Sequence, residues 1–275
     1  DFAKQTLLTQ RVDAVHSLSD YHVLGKKGVT VLDGGLGELA RRRYLTRLRY
    51  IAASSIRDRN WDALLPFFIL ERPSLFTNDV DAMMRKGLQE ELHRSLGAMP
   101  PVAETGLEHW LDLFSLRTRV PNTAFAEQSR ADGILRTLMP LIQPEVVKAL
   151  LNLPLKQRRH ARWIKTWLKH SHPQLSRVPL IKDHNPYPFW MNDIQSRIYR
   201  AIRKPEGFTS TIEHRLLDSC MPWIQDQVHS SSFRSFEGYN HERITGWVDG
   251  YIRRQETHHA SAILWWMTFE LFRGE

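Results

Sequence analysis

The sequence predicts a mostly α fold that keeps one residual parallel α/β element. Apolar residues recur at helical spacing through most of the 275 residues. Only residues 28–33 read as a strand, being β-branched and apolar. That strand runs directly into a glycine-rich bend and a helix start, the order of an α/β unit. Repeats and low-complexity tracts are absent.

The opening element is GVTVLDGGLGELARRRY, Gly28 to Tyr44. Its strand ends at Asp33, its bend holds Gly34, Gly35 and Gly37, and Glu38 falls in the first turn of the helix. Glycine admits left-handed backbone and close ligand approach, and amides at a helix start attract anions. The bend therefore reads either as a phosphate site or as an ordinary chain reversal, and the pattern alone leaves both open. The following helix is expected from Glu38 to about Ser55 on Leu39, Leu45, Leu48, Ile51 and Ala52.

Further helices follow from the same periodicity. One runs from Asn78, read as its N-cap, to Gly97, with Val80, Met83, Met84, Leu88, Leu92 and Leu96 on a core-filling face. Another begins at Pro144, a residue suited to a helix start, and ends at Pro154. A basic helix follows through Trp163, Ile164, Trp167 and Leu168. Ile194, Ile198 and Ile202 mark the next, between Trp190 and Ile202. The segment Thr211–Val228 carries Ile212, Leu216, Leu217, Cys220, Ile224 and Val228, with a kink expected at Pro222. The last helices hold Ile244, Trp247, Val248, Tyr251 and Ile252, then Ile263, Leu264, Trp266 and Met267. Arg177–Pro188 and His229–Gly238 read as connections.

Composition bounds the function. A 42% hydrophobic content supports a substantial core, and no apolar run approaches 18 residues, so no membrane partner is expected. The single cysteine, Cys220, reads as a small core residue and permits no internal disulfide; this favours a reducing, cytoplasmic setting. The net charge of +8 is concentrated in Arg41–Arg49 and Lys156–Lys169, read as solvated faces of amphipathic helices. Zinc-finger, RNA-recognition and basic-zipper patterns are missing, so nucleic acid is a minor reading. His170, His172, His258 and His259 read as surface histidines, lacking an acid or cysteine at zinc-site spacing. Glu104 and Glu108, four apart, read as solvated carboxylates. Of the adjacent Trp265 and Trp266, at least one belongs in the core.

Three stretches in order resemble the C-terminal synthetase domain of asparagine synthetase and its relatives. Residues 29–44 resemble that family's strand and its Gly-Gly-Asp-Glu-Leu-Phe-Gly-Gly-Tyr type loop. Asp112–Pro154 is similar to the region carrying an Asp-Arg pair, a Glu-x-Arg-x-Pro-Phe-Leu-Asp motif and a helix ending in Leu-Pro. Leu264–Arg273 resembles the tryptophan-rich closing helix. The resemblance implies a single domain over residues 1–275, the C-terminal part of an adenine nucleotide alpha hydrolase-like (ATP pyrophosphatase) fold. It implies ATP and Mg2+ as cofactors, a small-molecule carboxylate as substrate, a glutaminase domain or partner, and amide formation through an adenylated carboxylate.

By that resemblance Asp33, Gly34, Gly35 and Gly37 face the nucleotide, Glu38 matches the family's acidic residue and metal ligand, and Arg162 aligns with its essential lysine, with Lys165 one turn away. Several positions depart from the family. Gly37 stands where aspartate is usual, Arg136 where glutamate is, Leu138 where arginine is and Gln143 where aspartate is, leaving Pro140 as the match in that motif. The family's Ser-Gly-Gly-x-Asp-Ser pyrophosphate loop is not in the sequence. Either Leu32–Glu38 is an altered form of it, or it precedes Asp1; the length of chain to Pro140 favours the second. The chain is then expected to be a piece of a longer protein and inactive alone. A non-catalytic scaffold on the same fold is the alternative.

Overall fold

The computed structural model of the chain describes residues 11–35, 37–41, 45, 47–68, 74–182, 185–202, 211–254 and 256–274. Helix α1 (Val15–Lys26) gives way at Gly28, whose φ of 65° is a left-handed turn that glycine makes without a Cβ clash. Within α1, Gly25 is needed for a different reason: a Cβ there would sit 2.6 Å from the Ile134 carbonyl oxygen. Strand β1 (Thr30–Leu32) follows, then the bend and α2 (Gly37–Arg41). Short turns at Leu48–Ile51, Ala53–Arg57 and Leu65–Phe68 lead to α3 (Asn78–Gly97) and α4 (Leu107–Arg119). After α5 (Phe125–Asp132) comes β2 (Arg136–Leu138), then α6 (Pro144–Asn152), α7 (Leu155–Arg158) and α8 (Arg162–Ser171). A hairpin of β3 (Leu180–Lys182) and β4 (Asn185–Tyr187) precedes α9 (Asp193–Ile202), α10 (Thr211–His229), α11 (His241–Arg254) and α12 (Ala260–Arg273).

The protein is thus mostly helical with a small parallel sheet. β1 and β2 pair in parallel with Val31 opposite Thr137, and the crossover between them carries α2 to α5. Among the described residues the fold rests on three apolar clusters. One joins α10, α11 and α12 through Leu217, Ile224, Ile244, Leu264 and Trp266. A second gathers Leu48, Ile56, Leu92, Leu96, Trp110 and Phe114. The third buries Leu39 and Ala40 of α2 against Leu150 of α6, with Trp163 and Ile164 of α8 beside them. No helix among the described residues is long and apolar enough to cross a membrane.

Several expectations are corrected. The helix expected over 38–55 is broken, because Leu45 takes a left-handed φ of 48° and Ala52 a non-helical 13° ψ. Arg42, Arg43 and Tyr44 lie outside the described residues. The cap of α3 is Thr77, whose backbone is extended, and not Asn78, which is already helical. Met83 is 66% exposed and Met84 46%, so the methionine face of α3 is not core filling. The basic helix after Pro154 is two helices, α7 and α8, parted by left-handed His160 and Ala161. β2 and the β3–β4 hairpin are additional strands. Ser231–Ser235, inside an expected loop, is a helical turn whose Ser230 hydroxyl accepts from the Phe233 amide at 3.0 Å. α10 covers the stretch expected of it, with Pro222 inside the helix.

α9 is set by a reciprocal cap at Asn192 and Gln195: each side-chain oxygen accepts the other's backbone amide, at 2.9 and 3.0 Å. Its apolar stripe is open, with Ile194 68%, Ile198 56% and Ile202 77% exposed. Ile198→Asn is therefore expected to change stability by less than about 0.5 kcal/mol in urea denaturation, as for other surface positions. A loss well above 1 kcal/mol would show that this face is covered.

Candidate functional site

The bend begins where β1 ends. The Asp33 amide donates to the Leu138 carbonyl at 2.8 Å, extending the β1–β2 ladder by one bond. The Asp33 carboxylate then accepts the Gly35 amide at 2.7 Å, and the Gly37 amide donates to the Gly34 carbonyl at 3.0 Å. Two amides of the bend are therefore satisfied within it. A Cβ on Gly35 would lie 2.2 Å from the Met139 methyl, so this glycine lets the residue after β2 pack across the bend. Gly34 meets nothing within 4 Å, and Gly37 would make only ordinary contact with Leu141. Glu38 is half-buried on the five-residue α2.

What holds α2 in place comes from α4, α7 and α8. Leu39 and Ala40 are buried, and their carbonyls, which so short a helix leaves unbonded, are met by side chains. Trp163 Nε1 donates to Ala40 at 2.9 Å, and Arg158 Nη1 reaches Leu39 at 3.4 Å. Arg158 is fully buried and ion-paired at 2.7 Å with Asp112, also fully buried, on α4. Its other terminal nitrogen lies 3.4 Å from His109 Nδ1. Next to this pair, Arg159 and Arg49 both bind the Glu108 carboxylate, Arg49 at 3.0 Å. The Glu108 hydrogen bond holds Arg159 above its ordinary pKa. Glu108 is thus an ion-paired residue and not a solvated carboxylate, and Gly106, at φ 73°, ends the helical register between Glu104 and Glu108.

α2 and the start of α8 meet through the Trp163–Ala40 bond. Arg162 is exposed at that start. Lys165 does not share its surroundings: the ammonium donates to the Met191 carbonyl at 2.5 Å and lies 5.9 Å from the Phe189 ring. Asp33, Gly34, Gly35, Gly37, Glu38 and Arg162 therefore lie around α2, whereas Lys165 is engaged by the segment before α9. The residues that sequence reasoning missed are Asp112, Arg158, Glu108 and Arg159. A signal for Asp112 existed, since an acid among Trp110, Leu111, Leu113 and Phe114 requires a cation when its helix is buried.

Two clefts stand out among the described residues. One, of about 670 Å³, lies between α4 and α6, apolar through Leu116, Val120, Ile142 and Val147, with Arg117 and Lys148 in its walls. Its apolar residues belong to the cluster that buries α2. The other, about 440 Å³, has Asp218, Tyr251 and Thr257 in its lining. There the Tyr251 hydroxyl, 3.0 Å from His214 Nδ1, donates to Asp218 at 3.3 Å, and burial followed by the Asp218 charge pushes its pKa up to about 12.

Comparison with known families, with curated proteins and with solved structures finds no match to this chain.

Proposed function

We propose that the chain is the C-terminal part of an ATP-dependent, amide-forming ligase domain of the asparagine synthetase kind. The supporting observation is that two stretches of the resemblance, far apart in sequence, meet as the parallel pair β1–β2, with the bend at its carboxyl end. Parallel α/β sheets bind ligands at that end. Arg158 and Trp163, from the stretch after the Leu-Pro segment, hold α2, the helix that follows the bend, through the Leu39 and Ala40 carbonyls.

The donor set bears on what the bend takes. The Gly35 and Gly37 amides are bonded within the bend, to Asp33 and Gly34, and Asp33 and Glu38 bring carboxylates to its two ends. Hard cations such as Mg2+ prefer carboxylate oxygens, so in this reading Glu38, at the start of α2, takes the metal. Bound there, Mg2+ would offset phosphate charge as a carboxylate is activated. Glu38 would hold it, and exposed Arg162 would supply a cation whose charge, unlike lysine's, is not given up. The apolar groove with Arg117 and Lys148 suits a small carboxylate. The glutaminase partner follows from the resemblance alone.

Glu38→Ala is expected to weaken Mg-ATP binding by the intact protein at least tenfold in calorimetric titration, with pyrophosphate release falling alongside. Unchanged affinity removes Glu38 from the site. A second reading, a non-catalytic scaffold on this fold, is favoured by the internally bonded amides and by Gly37 and Gln143 at acidic positions. It predicts full biological function after Glu38→Ala and Arg162→Ala together.

A further inference from the structure

The turn between α11 and α12 carries three metal-ligating side chains that the ligase reading does not use. Glu256, His258 and His259 each offer one ligand atom, and these atoms lie within 4.8 Å of one another. The Glu256 carboxylate is 3.0 Å from His259 Nε2, and the two imidazole centroids are 3.9 Å apart. For the His258–His259 pair the acid not found at zinc-site spacing in the sequence is Glu256, which a single 3-10 turn at Thr257–His259 sets beside them.

We propose that Glu256, His258 and His259 form a binding site for Zn2+. Two imidazoles and a carboxylate are one of the ligand sets that zinc takes, with water completing the tetrahedron. Nitrogen donors disfavour Mg2+, so this site is distinct in chemistry from one made of Glu38. Zn–N and Zn–O bonds of about 2.1 Å put tetrahedral ligand atoms roughly 3.4 Å apart. The Glu256–His259 pair is already within that span. His258 has to close by about 1.5 Å at most, within the reach of a rotamer change.

The backbone beneath the three is fixed from both sides. The Glu256 amide donates to the Gly250 carbonyl at 3.2 Å, and the His259 amide to the Glu256 carbonyl at 3.1 Å. Gly250, on α11, leaves the space that the ligands occupy: a Cβ there would lie 2.5 Å from the Glu256 carboxylate oxygen and 3.2 Å from the His259 ring. The glycine thus accommodates both partners where a side chain would displace them. The Glu256–His259 bond ties two of the three together, and the His258 ring, against that of His259, brings the third ligand atom within 4.8 Å of theirs. A cation uses all three at once. His258 is exposed, so the ion can enter from solvent.

The test is calorimetric titration of Zn2+ into the chain, with thermal melting in parallel. One ion per chain is expected, along with a melting temperature that rises with zinc concentration, as for any ligand selective for the folded state. Affinity should drop at least tenfold in His258→Gln and in His259→Gln, and should hold in a His170→Gln, His172→Gln double variant. Exposed His258 carries the decision if loss of the His259 bond unfolds the turn. Zinc affinity equal in the wild type and His258→Gln, or no saturable binding, overturns the site.

Discussion

Arg158→Met is expected to lower the stability of the protein by about 3–5 kcal/mol, the range for removing one partner of a buried ion pair. Both side chains of the Arg158–Asp112 pair are fully buried, so methionine fills much of the same space but leaves the Asp112 charge without its cation. It also removes the donor that Leu39 receives. A second variant separates charge from packing. Arg158 Nε is buried with no hydrogen-bond partner, so the pair recovers only part of its desolvation cost. Arg158→Met combined with Asp112→Leu should therefore regain most of the loss, as when apolar residues replace both members of a buried pair. Urea denaturation midpoints of the single and double variants check this. A loss under 1 kcal/mol for Arg158→Met, or no recovery in the double variant, would show that the pair does not anchor α2.

That pair also marks how far the sequence carries. The bend at Asp33–Glu38, the span of α3 and the helical character of the C-terminal third are legible because glycine clusters and apolar periodicity have direct backbone meaning. The breaks at Leu45, His160 and Ala161 are not, since left-handed backbone at residues other than glycine is imposed by tertiary packing. β2 is three residues long, Arg136–Leu138, too short for an alternation to show. Periodicity placed Met83 with Leu92 and Ile194 with Ile198 on common faces. Whether a face is covered depends on another element, which is why Leu92 is buried and Met83 is exposed. Within the candidate site, the glycines were read as ligand-facing, yet Gly35 is explained by the Met139 methyl. The residues that fix α2 come from α4, α7 and α8, where no local motif points to it.

Glu270→Ala is expected to cost about 3 kcal/mol, because Tyr239 and Arg273 lose their common acceptor, and three hydrogen bonds, at once. The buried Tyr239 hydroxyl donates to Glu270 at 2.5 Å, and Arg273 reaches both carboxylate oxygens, at 2.5 and 3.3 Å. Arg273 continues to Ser232 at 3.0 Å and lies 5.0 Å from the Phe236 ring, so one carboxylate on α12 ties down the whole 232–239 segment. Glu270→Gln keeps an acceptor for the phenol and loses only the charge, and about 1–2 kcal/mol is expected. The network also sets an alkaline limit. Burial first, and then the Glu270 carboxylate, raise the Tyr239 phenol far above its ordinary value of 10.0. The unfolded chain releases that proton near pH 10 while the folded chain retains it, so the contribution is complete below pH 10 and declines as pH rises beyond it. Tyr251, raised to about 12, adds a loss of the same sign between pH 10 and 12. Melting temperature followed from pH 8 to 11 should fall less steeply in Tyr239→Phe than in the wild type, since the Tyr239 contribution is then removed while that of Tyr251 stays. Equal slopes would mean that the phenol ionises freely in the folded protein, which a bond to a buried carboxylate forbids.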